Sequence, residues 1–394
     1  MALLGTLLGV PEPNELDENG CYSHGSIAEL EHALIRSVEE GLEGDRTEPA
    51  PLHLSQEARW ALISALQKAI RFEMVDYAGW VADQLGALDL EALRRRLAVI
   101  AIEDVAAGDP LASAQALAVL GARDWRRGQG EQRVLRWLAR KLAAAHGDRS
   151  AAELLDSAHS DPRVVWTDLD ALDERAMCRI VDDPDRPFAL RSAVAQLMAG
   201  PRFAIGDMPT ATDRSPTPLF QLIVEMGTSR WGCYVAAMTA SRVRNVMWTQ
   251  LPIIDRWVRE GSPTVVPGPD FPKSLIGGIL GAAYDCHTRQ GNAALRRFGS
   301  LPAMDRVLAG VEPRHRWAAI GDAVFYGEGA ILAHRVVWSP ESQAVYDWIR
   351  LGPEWVRWRR PELAPELLPA TRASLHELNA IRSDVLRSWG GHDR

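Results

Sequence analysis

The chain has 394 residues, 47% of them apolar and 24% charged, the balance of a soluble globular protein with material for two or three subdomains. A net charge of -8 excludes a molecule that binds nucleic acid through its overall field and leaves only a local basic surface for that role. The four cysteines, Cys21, Cys178, Cys233 and Cys286, lie far apart with no CxxC pair, which argues against a structural zinc site and a disulfide scaffold.

The opening stretch "MALLGTLLGVPEP" carries no basic n-region and no small-residue cleavage pattern, and no apolar run approaches the ~18 residues of a membrane span. A cytoplasmic chain without a membrane partner is expected. Residues 1–54 read as an N-terminal extension with one helical stretch, in which Ile27, Leu30, Leu34 and Val38 fall at helical spacing. Ser55 is placed to cap a long helix over "SQEARWALISALQKAIRF", whose Leu62, Ile63, Leu66 and Ile70 form one apolar stripe. Further helical segments follow, "VDYAGWVADQLGAL", "LEALRRRLAVIAIEDVAAG", "PLASAQALAVLGARDW" and "EQRVLRWLARKLAAAHG", with Pro110 suited to a first helical turn. Residues 55–200 therefore read as one helical domain.

Residues 201–217 are a Pro/Thr/Asp-rich connection. Helix resumes over "LFQLIVEMGTSRWGCYVAAMTASRVRNVMW", with a break near Gly227. Residues 261–272, "GSPTVVPGPDFP", hold four prolines in twelve positions and are expected to be a loop. Residues 201–340 read as a second helical subdomain and 341–394 as a Trp/Arg-rich helical tail. The expected fold class is all-α, a multi-helix bundle with long Pro-rich loops.

Several local patterns have plain explanations. "GPDFPKS" lacks the second glycine of a phosphate loop, and its prolines remove amide donors. Cys21 and His24 are two metal-ligand types without a second pair, so no metal and no cofactor is expected. The fourteen tryptophans read as core and helix-contact residues, with base stacking as the alternative. The arginines at 94–96 and within 123–133 read as solvated helix faces, with phosphate contact as the alternative for 123–133.

"YDCHTRQGN", residues 284–292, sets Asp285, Cys286, His287, Thr288 and Arg289 side by side with Gly291. In a structural reading His287 bonds to Asp285 or a carbonyl, Arg289 pairs with a buried Glu and Gly291 closes the turn. In a functional reading His287 is a general base, beside the Asp285 carboxylate. Arg289 and Arg230 clamp a phosphate, and Thr288 or Ser229 bonds to the same group. Glu328 activates an amine or water, or merely pairs with Arg289. Cys286 follows an apolar run, which disfavours it as a nucleophile.

Residues 62–119 carry an ordered pattern: Leu62, Ile63, Ser64, Ala65, Leu66, Lys68, Ile70 and Arg71, then Asp76, Ala78 and Trp80, then Arg95, Arg96, Leu97, Ile100, Ala101, Glu103, Asp104, Val105, Asp109 and Pro110. This resembles the C-terminal helical, collar-like region of replication-associated recombination protein A, the RarA type of clamp-loader-related AAA+ ATPase. "GTSRWGCYVAAMTA" resembles a later segment of that family, with Ser229 at the family serine. Asp285, His287, Thr288, Arg289 and Gly291, followed by Phe325, Glu328, Gly329 and Ala330, resemble small ATPase-less viral and bacterial relatives. The resemblance implies a clamp-loader-collar-like fold, a homo-oligomer and DNA as partner. The 394 residues contain no phosphate loop, so no ATPase is expected. Because viral relatives of this kind sit among genes that alter DNA bases, the resemblance implies a transferase. It would be of the amino acid:DNA type, displacing phosphate from an activated 5-substituted pyrimidine during viral DNA hypermodification in the host cytoplasm. The alternatives are a non-catalytic replication or recombination accessory, and an inhibitor that mimics the collar.

Overall fold

The computed structural model describes residues 24–45, 48, 50–51, 53–200, 216–350 and 363–390. Helices dominate, and strands are confined to two antiparallel pairs among the described residues, so the fold is all-α. The principal helices, in chain order, are α1 (His24–Gly44), α2 (Arg59–Arg71), α3 (Val75–Ile100), α4 (Pro110–Gly121), α5 (Glu131–Ala143), α6 (Ser150–Ser160), α7 (Phe188–Met198), α8 (Arg230–Met238), α9 (Arg289–Gly299), α10 (Pro313–Val324), α11 (Ala364–Ala373) and α12 (Leu375–Gly390). Pro110 opens α4 as its first residue, behind an Asp109 side chain that accepts from the Ala112 amide. None of these helices is long and apolar enough to cross a membrane.

Three main apolar cores hold the helices together. The first joins α2, α3 and α5 through Leu62, Leu66, Ile70, Leu85, Leu97 and Leu138, and is closed by Leu280, Ala283 and Ile331 from much later in the chain. The second gathers α1, α4, α6, α7 and α8 with Val336 and Trp338. The third packs α9 and α10 against α11 and α12 through Leu295, Phe298, Ile320, Leu367, Leu378 and Val385. The cores interleave along the sequence: residues 280–283 complete the first, and 363–385 share the third with 294–324. Residues 201–215 of the connection, residues 1–23 of the N-terminal extension and the Trp/Arg-rich stretch 351–362 lie outside the described residues.

Two local expectations are corrected. The Pro-rich segment is not all loop: β1 (Thr264–Pro267) pairs antiparallel with β4 (His334–Val337), Thr264 opposite Val337 and Pro267 opposite His334. Pro263 sits before the strand, Pro267 at its last position and Pro269 and Pro272 beyond it, so the two-stranded ladder loses little from their missing amides. Between these strands lie β2 (Leu275–Ile276) and β3 (Ile279–Leu280), a tight hairpin turned by Gly277 and Gly278. Both glycines have positive φ, 59° and 83°, as a two-residue hairpin turn of this hand demands. Ser55 does not cap a long helix. It precedes a short 3-10 turn, Gln56–Ala58, and its side chain makes no capping bond.

Candidate functional site

Helix α2 is buried on nearly all sides, so its polar residues have no solvent face to occupy. Ser64, Gln67, Lys68 and Arg71 fall at i, i+3, i+4 and i+7, a single stripe. Buried polar groups need partners, and each of these finds one across the chain. Lys68 Nζ donates to Asp285 Oδ2 at 2.6 Å and to Ser64 Oγ at 2.7 Å, while Ser64 Oγ donates to the same Asp285 oxygen at 2.7 Å. Gln67 Nε2 donates to Asp104 Oδ2 at 2.8 Å, and Gln67 Oε1 accepts from Arg96 Nη1 at 3.1 Å.

Asp285 follows the first-core residues 280–284 out into this stripe. Its second oxygen accepts the His287 amide at 2.9 Å. Burial alone would raise the Asp285 carboxyl. The Lys68 charge overcomes this, helped by hydrogen bonds from Lys68, the His287 amide and Ser64, and holds it down at about 2. Thr288 is the N-cap of α9: its Oγ1 accepts the Gly291 amide at 2.9 Å and donates to the Asp285 carbonyl at 3.1 Å. Gly291 lets the helix start lie against that carbonyl, because a Cβ there would stand 1.9 Å from the Asp285 oxygen. His287 and Arg289 are exposed on the far side of this turn.

The acids come from two π-turns that end long helices. Ala101–Val105 continues α3 and presents Glu103 and Asp104; Phe325–Gly329 continues α10 and presents Glu328. Arg71 ties the two turns together. It donates to Asp104 Oδ1 at 2.7 Å, to Glu103 Oε1 at 3.0 Å and to the Gly329 carbonyl at 2.6 Å. Arg149 adds bonds to Asp104 at 2.7 Å and Glu103 at 3.0 Å. Burial would raise Glu103, but the charges of Arg149 and Arg71 keep it below the usual carboxylate range. Glu328 is fully buried; Arg382 from α12 binds its Oε1, and its Oε2 has no hydrogen-bond partner.

These groups surround a cavity of about 380 Å³ whose walls include Ser64, Lys68, Arg96, Asp285, His287 and Glu328. An outer cleft of about 920 Å³ adjoins it, with Trp60, His287, Arg289, Gln290, Arg297 and Trp389 among its lining. Trp60 and His287 line both. Arg96 makes no ion pair with a carboxylate among the described residues. Arg96 lines the inner cavity, bonded to the Gln67 amide and within reach of the Glu103 charge, and the unpartnered Glu328 Oε2 lies buried in its wall.

Of the residues singled out by sequence, Asp285, His287 and Glu328 meet at the inner cavity and Arg289 at the outer cleft. Arg289 does not pair with Glu328, whose partner is Arg382. Thr288 is buried in its capping role. Arg230 and Ser229 line neither cavity: Ser229 caps α8, accepting the Gly232 amide at 3.1 Å, beside the second core. Ser64, Lys68, Arg71, Arg96 and Glu103 carry much of the site, although in the sequence they mark only the fold. Asp285, Cys286 and His287 have potential ligand atoms within 4.8 Å of one another. They are poorly suited to a cation: Lys68 occupies the carboxylate, and burial and the Asp285 charge push the Cys286 thiol up. Comparison with protein-family models, curated proteins and solved structures found no match.

Proposed function

We propose that the protein is a DNA-acting group transferase that joins an amine, of the amino-acid class, to an activated pyrimidine in DNA. What carries this reading is the pairing of cavities. The inner one holds an unpartnered buried carboxylate oxygen on Glu328 and the Arg96 guanidinium, which makes no ion pair and shares the wall with Glu103, groups of the two signs that a zwitterion needs. It meets, at His287 and Trp60, an arginine- and tryptophan-lined cleft of a size to hold nucleotides. The collar resemblance of residues 62–119 adds a DNA-handling lineage and a homo-oligomer to the proposal.

In this chemistry the amine nitrogen attacks the exocyclic methylene carbon of a 5-(phosphomethyl)pyrimidine. The carbon–oxygen bond to phosphate breaks, its electron pair leaving with the phosphate oxygen, and one amine proton is taken up. His287, at the junction of the cavities, is placed to accept that proton. Glu328 Oε2 receives an N–H of the amine, and Arg289 and Lys68 offer positive charge to the departing phosphate. Asp285 is not free to act as a base, since both its oxygens are bonded. It is a positioning residue for Lys68 and His287.

Because Asp285 and Thr288 are fully used within the fold, a non-catalytic DNA accessory is the second reading. The two separate in one experiment. DNA carrying 5-(phosphomethyl)pyrimidine is incubated with the protein and a panel of amino acids and amines, and the nucleosides are read by mass spectrometry alongside phosphate release. The transferase reading expects a new amine-bearing nucleoside and an equal yield of phosphate. It also expects His287→Ala to slow turnover roughly 10²- to 10⁴-fold at an unchanged melting temperature. Arg289→Lys should lose activity although charge is kept, because the planar fork is lost. Absence of product with every amine, or a His287→Ala protein that works at the wild-type rate, defeats it.

A further inference from the structure

We infer that the outer cleft binds DNA as a single strand, stacking unpaired bases on Trp60 and Trp389. This rests on the DNA-acting reading and adds the form of DNA engaged. Trp60 is 59% exposed and Trp389 43% exposed, both line the same cleft, and the Arg59 guanidinium lies 4.8 Å from the Trp60 ring centre, adding a positive charge beside that stacking surface. Indole rings left this open in water lose apolar burial that the interior would have given them. A base can recover that burial only if its flat face is bare, and in a duplex those faces are covered by neighbouring pairs.

The charges fit the same occupant. Arg289 and Arg297 lie eight residues apart along α9 and both line the cleft, which sets them ~12 Å apart along the helix axis. Neither has a carboxylate partner among the described residues. A single carboxylate, Glu57, shares the lining. Two unpaired guanidiniums and two exposed indoles match a strand that presents phosphates and base faces together. The cleft also meets the inner cavity at Trp60 and His287, so a base that enters there has already left its stack.

The test uses the full chain with a labelled oligo-dT and a blunt duplex of equal length, followed by fluorescence anisotropy over a range of salt. The expected result is tighter binding of the single strand, with about tenfold weaker binding for Trp60→Ala and for Trp389→Ala, within the roughly 5- to 150-fold that one base–aromatic stack is worth. Both indoles are exposed, so these variants should keep the wild-type melt. The double variant Arg289→Gln/Arg297→Gln should flatten the logarithmic salt slope by about 1.4, two phosphates at ~0.7 each for single strands. Duplex bound as tightly as single strand, or unchanged affinity in Trp60→Ala/Trp389→Ala, overturns the inference. If the tryptophan dependence appears and no modified nucleoside ever forms, the transfer reading alone fails. If product forms on DNA while the tryptophan variants bind normally, this inference alone fails.

Discussion

Asp285→Asn tests whether the ion pair at the inner cavity organises the site. The substitution keeps the side-chain shape and removes the charge that faces Lys68 at 2.6 Å, a pair whose side chains are only 16% and 6% exposed. The folded carboxyl sits at about 2 against an ordinary 3.8. That lowering corresponds to about 2 to 3 kcal/mol of stability, somewhat under the ~3–5 kcal/mol usual for breaking a buried pair. Because the folded value is depressed, the contribution is complete above about pH 4 and is lost as pH falls toward 2. Urea unfolding of wild type and variant across this range should therefore show a gap of that size at neutral pH that closes in acid. Adding Lys68→Met should restore part of the lost stability, since no unpaired charge remains. No gap at neutral pH, or one that persists undiminished to pH 2, refutes the assignment.

Asp148 makes the opposite forecast. Burial pushes its carboxyl up to about 6, so the folded state binds the extra proton and stability falls as pH rises from about 4 to 6, by roughly 3 kcal/mol in all. Asp148→Asn should flatten that fall in pH-dependent unfolding, and an unaltered profile would contradict it. Gly291→Ala places a methyl against the Asp285 carbonyl and should cost about 1–3 kcal/mol as α9 shifts to relieve overpacking; a wild-type unfolding midpoint would mean the helix start has room to spare. Arg96→Lys keeps the charge but loses the fork steadied by Gln67, so under the proposed transfer the KM for an acidic amine donor should rise about tenfold with kcat and melting little changed. An unchanged KM would remove Arg96 from donor binding.

The helices were legible because their apolar residues recur at helical spacing, as in Leu62, Leu66 and Ile70, all buried in the first core. β1 was not legible, because its partner lies some seventy residues away at His334–Val337 and no local pattern announces a long-range pairing. The motif 284–292 drew attention through its crowd of reactive groups, yet residue type alone could not separate caps from ligands. Thr288 and Ser229 each open a helix and bind the amide three residues on, a pattern that reads as capping once helix starts are known. Lys68, Arg71, Arg96, Glu103 and Asp104 were visible as members of an ordered pattern but not as a site. For Lys68 and Arg71 the signal was a polar stripe, with Ser64 and Gln67, on a helix whose remaining faces are apolar, which leaves those charges nowhere to go but inward; Arg96, Glu103 and Asp104 come from α3 and its π-turn and carried no such signal.

The way the acids are delivered explains why that stripe needs so many partners. In a regular α-helix adjacent side chains point about 100° apart, so Glu103 and Asp104 would not both face one guanidinium. The π-turn at Ala101–Val105 changes this local register, and its closing bond runs from the Ala106 amide to the Ala101 carbonyl. Ala106 is left at φ 33°, a conformation unfavourable for any residue with a Cβ. The turn at Phe325–Gly329 closes in the same way, Ala330 amide to Phe325 carbonyl at 2.7 Å, and it sets Glu328 against the cavity. Each distortion is offset by charge-assisted bonds from Arg71, Arg149 or Arg382. A third π-turn, Thr239–Val243, continues α8 and lines neither cavity; what sets the other two apart is that both carry acids facing the stripe on α2, and that is a physical reason to look for chemistry at the inner cavity.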